Sequence, residues 1–95
     1  MRARLKVVSA SDHALLGAFI RALRIRSGIS QRDLAGALNV PQSFISKIER
    51  GERQMQLIEF VLVCRQLGHE PADSLRTFLE DLPVLSTLST ARVKR

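Results

Sequence analysis

Residues 30–51, which read SQRDLAGALNVPQSFISKIERG, decide the fold. The stretch opens with a helix start, because the hydroxyl of Ser30 can cap a first turn and Asp33 follows at the spacing of a capping box, in its acidic variant. Asn39 lies where the chain must turn, and asparagine is among the non-glycine residues that best accept a positive φ. A second helix begins near Pro41, since the missing N–H of proline costs nothing in a first turn. The sequence therefore predicts two short helices joined by a three-residue turn and packed at a steep angle.

The second of these helices, which ends before Gly51, is predicted to have a polar outer face. At about 100° per residue, five of its polar side chains fall within one arc of about 140°. These side chains are Gln42, Ser43, Ser46, Lys47 and Arg50. Ile45 and Ile48 lie on the opposite side and should be buried. Amide, hydroxyl and basic side chains read base edges, and a helix fits the major groove of B-DNA, so the arc indicates duplex DNA as the ligand.

Glycine and proline divide the flanking sequence into three further helices, and no segment keeps the period of two that a strand requires. The first helix opens with Ser11 as its N-cap and is ended by Gly28. The fourth helix spans residues 55–67, and the fifth spans residues 71–82 between two prolines. The sequence thus predicts an all-α, five-helix domain over residues 11–82, with a helix-turn-helix formed by helices 2 and 3.

Two apolar sets outside this motif indicate where a core and an interface should lie. In the fourth helix the side chains expected to be buried are Leu57, Phe60, Val61 and Cys64. The fifth helix carries an apolar stripe of Leu75, Phe78, Leu79 and Leu82. Such a stripe either covers the core or forms a dimer seam, and we expect it to do both, with Val84, Leu85 and Leu88 extending the seam. A domain this small is marginally stable alone, which also favours a homodimer.

The net charge is positive, and most of the excess of basic side chains lies at the two ends of the chain. The 95 residues include 15 basic and 9 acidic side chains, which gives a net charge of +6. Residues 14–80 carry nine basic and seven acidic side chains, so most of the excess lies outside them. A basic balance favours a polyanionic partner. Residues 1–10 are predicted to be a basic N-terminal arm and residues 83–95 a C-terminal tail; both are either solvated or lie along a nucleic-acid backbone.

Other classes of protein are not expected from this sequence. A single cysteine cannot form an internal disulfide. The cysteine and the two distant histidines also lack the spacing of zinc ligands. No apolar stretch approaches the roughly 18 residues of a membrane span, and Asp12 and His13 interrupt the apolar region that a signal peptide needs. Paired carboxylates, a nucleophile with its base and a phosphate loop are all missing. We therefore expect a cytoplasmic, nucleoid-associated protein that is not an enzyme and has no cofactor, metal, membrane partner or small-molecule substrate.

Residues 31–35 and 40–53 together resemble the helix-turn-helix of phage repressors and Cro proteins, also called the xenobiotic-response-element family. Further matching positions are Ile20, Leu23, Arg24, Gly28, Ile29, Leu67 and Gly68. The resemblance covers about residues 16–82 and implies a compact five-helix, lambda-repressor-like DNA-binding domain. Asn39 stands where the family usually has glycine. Pro41 stands where many members carry a Ser or Thr cap, which removes one cap bond worth about 1 kcal/mol.

The resemblance also implies which residues bind DNA. Gln31 matches the glutamine that clamps a phosphate beside the amides at the start of helix 2, and Arg32 follows it in the DNA-binding set. The positions that match base- and backbone-reading ones in helix 3 are Gln42, Ser43, Ser46 and Lys47. The alternative for the two serines is plain helix surface. Arg50 and Arg53, at and just past the end of helix 3, match backbone-contacting positions.

The remaining positions of interest mix structural and functional interpretations. Phe44 lies at the border of the polar arc, where it either contacts a thymine methyl or shields the join with helix 4. Arg24 and Glu49 match a family pair that forms a partly buried ion pair, which fixes helix 3 rather than contacting DNA. Breaking such a pair costs about 3–5 kcal/mol when it is buried. Glu52, Glu59 and Glu70 are interpreted as surface charge, with an acidic patch that binds a protein partner as the alternative.

These observations predict a sequence-specific, double-stranded DNA-binding transcriptional regulator that acts as a repressor. It would bind an inverted repeat as a homodimer, with helix 3 of each protomer in a major groove and half-sites about 10 bp apart. One alternative is an antitoxin of a toxin–antitoxin pair, whose tail binds the toxin and which autoregulates by binding DNA. Another is an adaptor for protein–protein interaction, for which the basic charge and the polar arc would be incidental.

Overall fold

Five helices follow one another through residues 10–80, the part of the chain that the computed structural model describes. They are α1 (Ala10–Arg26), α2 (Gln31–Leu38), α3 (Gln42–Glu49), α4 (Leu57–Gln66) and α5 (Pro71–Glu80). These residues contain no strand, so the predicted all-α, lambda-repressor-like class with a helix-turn-helix in α2 and α3 is confirmed. The predicted tail and the seam residues Leu82, Val84, Leu85 and Leu88 lie outside the described residues, as does the predicted N-terminal arm apart from Ala10.

The turn between α2 and α3 forms as the local sequence indicates. Ser30 is the N-cap of α2, and its hydroxyl accepts a hydrogen bond from the Asp33 amide at 3.0 Å. Asn39 takes a left-handed conformation with φ 58°, and the Val40 amide donates to the Ala35 carbonyl at 3.0 Å. Pro41 is the N-cap of α3 rather than part of its first turn, and its side chain makes no capping bond. The turn therefore depends on backbone hydrogen bonds and on the left-handed residue.

The N-terminal end of α1 differs from the prediction, whereas the C-terminal end agrees with it. Ala10 is already helical, so Ser11 lies within α1 and is not its N-cap. At the other end, Gly28 has φ +74° and the Ile29 amide donates to the Arg24 carbonyl at 3.3 Å. The glycine thus closes α1 in the left-handed conformation that satisfies its last carbonyls.

The core is made by the inward faces of α1, α2, α3 and α4. Its buried apolar members are Ile20, Leu23, Leu34, Ala35, Ile45, Phe60, Val63, Cys64 and Leu67. The prediction that Leu57 and Val61 would be buried was wrong, because Leu57 is mostly exposed at the first position of α4 and Val61 is only half-buried. In α4 the inward stripe runs through Phe60, Val63 and Cys64 instead, and burial raises the pKa of the Cys64 thiol.

The apolar stripe of α5 divides between the core and the surface. Phe78 is buried and packs against Phe19, with the ring centroids 5.3 Å apart. Leu75 and Leu79 are exposed on the outer side of the same helix. Within the described part of the stripe, then, one residue covers the core and two remain at the surface.

The end of α3 lies against α1 because two glycines leave room for it. A Cβ at Gly17 would collide with the Ile48 carbonyl oxygen and would lie 2.8 Å from that of Glu49. Gly51, just past α3, has φ +77°, and a Cβ there would lie 2.7 Å from the Cα of Ala14. This close approach holds α3 at a fixed angle and directs its opposite face outward.

Candidate nucleic-acid interface

The outward face of α3 carries the predicted polar arc. Ile45 and Ile48 are buried beneath it, as expected from their positions on the helix. The exposed members of the arc are Gln42, Ser43, Lys47 and Arg50, and Ser46 is half-buried. The structure therefore brings together, on one side of a short helix, the amide, hydroxyl and basic groups that hydrogen-bond to base edges.

A buried ion pair connects α3 to α1 behind this face. Arg24 Nε lies 2.6 Å from Glu49 Oε2, and its Nη2 lies 3.1 Å from Oε1, so the contact is bidentate. The side chains are 10% and 1% exposed, respectively. Arg24 Nη1 also donates to the Ile29 carbonyl at 2.9 Å. The pair expected from the family resemblance is thus present, and all of its polar atoms are satisfied.

Hydrogen bonds continue from this ion pair to the surface. Gln31 Nε2 donates to Glu49 Oε1 at 2.8 Å, and Gln42 Nε2 donates to Gln31 Oε1 at 3.3 Å. Gln31 is therefore held at both ends of its amide, and Gln42 is oriented in turn. Among the described residues the Gln42 side chain makes this one bond, so one amide N–H and its carbonyl oxygen remain available. Those are the two groups with which glutamine pairs with adenine.

The two serines of the arc differ in their own contacts. Ser46 Oγ donates to the Ser43 carbonyl at 3.3 Å, which occupies its proton within the helix and leaves its lone pairs as acceptors. Ser43 is fully at the surface in the first turn of α3. Both hydroxyls lie on the outward face, and their DNA contacts remain predictions.

Two basic side chains at the end of α3 are paired with glutamates. Arg50 Nε lies 3.0 Å from Glu52 Oε2, and both side chains are more than half exposed. Arg53 Nη1 lies 2.8 Å from Glu59 Oε1, and the Arg53 guanidinium also donates to the Gln54 carbonyl. Side-chain hydrogen bonding is the main reason why the pKa of each glutamate is lowered and that of each arginine is raised. Both arginines thus begin with an internal partner that a phosphate would have to replace.

Lys47, Arg32 and Phe44 complete the placement of the predicted set. Within residues 10–80, Lys47 and Arg32 are exposed and take part in no ion pair, so both charges are available to an anion. Phe44 packs against the core, and the Arg53 guanidinium carbon lies 4.1 Å from its ring centroid. This position corresponds to the shielding interpretation of Phe44, since its ring lies between Arg53 and the core.

Three contributors to the site were not assigned a role from the sequence. Glu52 and Glu59 were interpreted as surface charge, yet each holds an arginine. Glu59 stands three residues after Gln56 and accepts its amide hydrogen bond at 2.9 Å, a spacing that does indicate a helix start. Gly17, which lets α1 contact the end of α3, was detectable only as a glycine in the middle of a helix.

Between residues 10 and 80, no three His, Cys, Asp or Glu side chains are grouped so that they could hold a metal ion. None of the described helices has the length and hydrophobicity of a membrane span.

Comparison with known proteins identifies the family. A family model described as a helix-turn-helix domain matches residues 15–75. The control protein C.BamHI of Bacillus amyloliquefaciens is 36% identical over 62 residues, which are 64% of this chain and 76% of that protein. An XRE-family like protein from Pseudomonas syringae pv. tomato has a similar structure, with a TM-score of 0.67 and 37% identity over 75% of this chain and 87% of its own. The restriction-modification controller protein C.AhdI of Aeromonas hydrophila gives a TM-score of 0.62 and 30% identity over 67% of this chain and 97% of its own.

The match to the family model and the structural neighbours cover the same five-helix domain that carries the polar arc. The chain therefore belongs to the xenobiotic-response-element (XRE) family of helix-turn-helix, DNA-binding transcriptional regulators.

Proposed function

We propose that this chain is a sequence-specific regulator that represses transcription by placing α3 in the major groove of an operator. The observation that carries the proposal is the polar arc of α3, which is held from behind by Arg24, Glu49 and Gln31. The Gln42 side chain, which Gln31 orients, would read a base with little loss of conformational freedom, because its orientation is set before DNA is bound. Repression fits a domain of this kind, since occupying an operator requires no contact beyond the DNA itself.

Base and phosphate contacts divide between different residues in this proposal. Gln42 would pair with adenine, and Lys47 with guanine, as their groups allow. Gln31 and Arg32, at the start of α2, would contact phosphates and set the register of the protein on the duplex. Arg50 and Arg53 would do the same once they exchange their glutamates for phosphates. The basic arm and tail would add sequence-independent attraction.

A homodimer is supported by an exposed apolar surface on α4. Leu57, Ile58 and Leu62 are 69%, 66% and 50% exposed, and they fall within one arc of about 140° on the helix. An exposed cluster of large apolar side chains marks an interaction surface. We propose that it forms a two-fold contact with a second copy, to which Leu75 and Leu79 of α5 contribute. This arrangement would present two α3 helices to half-sites about one helical turn apart.

The dimer surface can be tested by sedimentation equilibrium of two matched variants. Ile58→Glu places a charge in the α4 surface and should shift the chain from dimer to monomer. Ile25→Glu, at a residue 50% exposed on α1, should leave the dimer intact. A dimer that survives Ile58→Glu, or one that dissociates equally in Ile25→Glu, would contradict the α4 surface.

The same exposed surface favours one alternative function. If it binds a different protein instead of a second copy, the chain would be an antitoxin that also regulates its own synthesis through α3. Purification of the native chain from its source, followed by mass spectrometry, distinguishes the two: a stoichiometric second protein supports the antitoxin, and a homodimer supports the regulator.

We also propose that the chain has no catalytic activity and that it acts in the cytoplasm. Its relatives are regulators of transcription, which supports a chain without catalytic activity. A protein that binds duplex operators must share the compartment of the chromosome, so we propose a cytoplasmic, nucleoid-associated location.

The DNA-binding role of α3 is tested by Lys47→Ala. A duplex recovered by selection from a random pool serves as the operator. The variant should bind it about 1–3 kcal/mol more weakly than the wild type, because one base contact is lost, while circular dichroism and urea unfolding remain unchanged. Arg76→Ala removes the same charge from α5, where Arg76 pairs with Asp73, and should bind as the wild type does. Equal operator binding by Lys47→Ala and the wild type would contradict the assignment of α3.

A further inference from the structure

Glu52 lies beside the basic end of α3 and is held there by the backbone. Its amide donates to the Lys47 carbonyl at 2.8 Å, and the preceding Gly51 amide donates to the Ile48 carbonyl at 3.0 Å. These bonds fix the Glu52 backbone against the last turn of α3. Its carboxylate accepts from Arg50 Nε at 3.0 Å and from Arg50 Nη2 at 3.1 Å. An acidic group therefore occupies the rim of the candidate interface in a defined position.

The charge of Glu52 acts on both basic residues of the polar arc. The pKa of Glu52 is lowered chiefly by its hydrogen bond with Arg50, then by the charge of Arg50 and, more weakly, by that of Lys47. It is therefore ionised at neutral pH. Both members of the Arg50–Glu52 pair are more than half exposed, and exposed ion pairs are weak, so a phosphate can displace the carboxylate. The negative charge nevertheless remains beside the phosphate after the exchange.

Glu59, the other glutamate near the end of α3, has a different structural role. Glu59 pairs with Arg53 but also accepts the amide hydrogen bond of Gln56 at the start of α4. Arg53 in turn lies over the ring of Phe44. Replacing Glu59 would thus disturb a helix terminus as well as an arginine. The Glu52 carboxylate, within the described residues, hydrogen-bonds only to Arg50, so its charge can be removed without loss of another contact.

We propose that Glu52 limits the sequence-independent affinity of the interface for the DNA backbone. The inference deepens the proposed function and rests on it. Sequence-independent binding comes from the release of counterions when basic side chains neutralise phosphates. By pairing with Arg50, Glu52 weakens that term for all sequences. The base contacts of α3 then supply a larger share of the total affinity for the operator.

The test is the salt dependence of duplex binding by four proteins: the wild type, Glu52→Gln, Arg50→Gln and the double variant. Each is titrated against the selected operator and against a random-sequence duplex between 50 and 200 mM salt, with urea unfolding as the check on folding. Without the carboxylate, the Arg50 charge is no longer offset and neutralises one more phosphate. This steepens the log–log slope by about 0.9, so Glu52→Gln should lose about 3.5-fold more affinity than the wild type over this range. At the lowest salt it should bind both duplexes more tightly and by similar factors, because the backbone term is common to all sequences.

Two comparisons test whether the effect depends on Arg50 rather than on net charge. In the Arg50→Gln background, Glu52→Gln should no longer steepen the slope. Glu80→Gln, which removes one negative charge at the end of α5, should bind both duplexes as the wild type does. A steeper slope that also appears in either comparison would overturn the proposal.

The remaining outcomes are equally distinct. If the wild type binds DNA and Glu52→Gln has the same slope and the same affinity for random DNA, the inference fails while the proposed function stands. If Glu52→Gln weakens operator binding alone, the carboxylate reads a base directly and the proposal is overturned. If the wild type binds no duplex at low salt, the proposed function fails and the inference with it.

Discussion

The buried ion pair between α1 and α3 allows a quantitative prediction for Glu49→Gln. Glu49 accepts three hydrogen bonds, two from Arg24 and one from Gln31, and all three partners are donors. A glutamine has the same shape but a single acceptor oxygen, so its NH2 group must face a hydrogen-bond donor. The change also leaves the Arg24 guanidinium without a counter-charge in a site that is 10% exposed. The expected loss is about 3–5 kcal/mol.

That loss is large compared with the stability of such a chain. At about 0.05–0.15 kcal/mol per residue, 95 residues correspond to about 5–14 kcal/mol. With an m-value of about 1–1.5 kcal/mol/M for a small domain, the urea midpoint should fall by about 2–5 M. Unfolding followed by circular dichroism at 222 nm measures this midpoint. A fall of less than about 0.5 M with an unchanged m-value would refute the reasoning.

A second variant separates stability from the positioning of Gln31. Replacing the pair together, with Arg24→Met and Glu49→Leu, removes both charges and keeps the volume, and such replacements are often neutral or stabilising. The urea midpoint should recover most of its wild-type value. Operator affinity should remain reduced, because Gln31 has lost the acceptor that orients it. Full recovery of both properties would show that the network does not position the interface.

Three further changes test separate parts of the fold. Gly17→Ala should lower the free energy of unfolding by about 1–3 kcal/mol, because the added Cβ collides with α3. Gly36→Ala has open space around its Cβ and should raise the free energy of unfolding by about 0.5–1 kcal/mol. Urea unfolding of both variants checks the α1–α3 contact. Asn39→Ala should destabilise by about 1 kcal/mol because of the φ of 58°, and Asn39→Gly should not, by the same assay. Arg53 holds the pKa of Glu59 below its ordinary value of 4.5, so the pair stabilises the fold above that pH and the effect is lost as pH falls through the lowered value. Glu59→Gln should therefore melt below the wild type at pH 7 and approach it in acid; an unchanged difference in acid would contradict the pairing.

The helix-turn-helix could be predicted from the sequence because its signals are local. The cap at Ser30, the left-handed turn at Asn39 and the inward positions of Ile45 and Ile48 each depend on residues within one or two turns. Local chemistry could also indicate that Pro41 lies at the start of α3, although not that it is the N-cap. These features place the polar arc, so the position of the candidate interface follows from the sequence.

The faces of α4 could not be predicted in the same way. Leu57, Ile58, Val61 and Leu62 make the helix apolar on nearly all sides, and periodicity then gives no direction. Burial was decided by the neighbouring helices, which cover the side of Phe60, Val63 and Cys64. The exposed side that remained is the surface proposed for the dimer.

The pairing of charges at the end of α3 also depends on tertiary geometry. The sequence shows that Glu52 and Glu59 follow the two arginines but not which groups meet. The turn after α3 brings Glu52 back towards Arg50, and the start of α4 brings Glu59 to Arg53. The close approach at Gly17 likewise requires the crossing of α1 and α3 to be known.

The central claim, that the outer face of α3 enters the major groove, is most directly tested by nuclear magnetic resonance. The ¹⁵N-labelled chain is titrated with the selected duplex, and backbone and side-chain amide shifts are followed. The largest changes should occur at Gln31, at Lys47 and at both the backbone and side-chain amides of Gln42, while the amides around Thr77 on α5 should change little. Changes concentrated on α5, with α3 unaffected at saturation, would contradict the account.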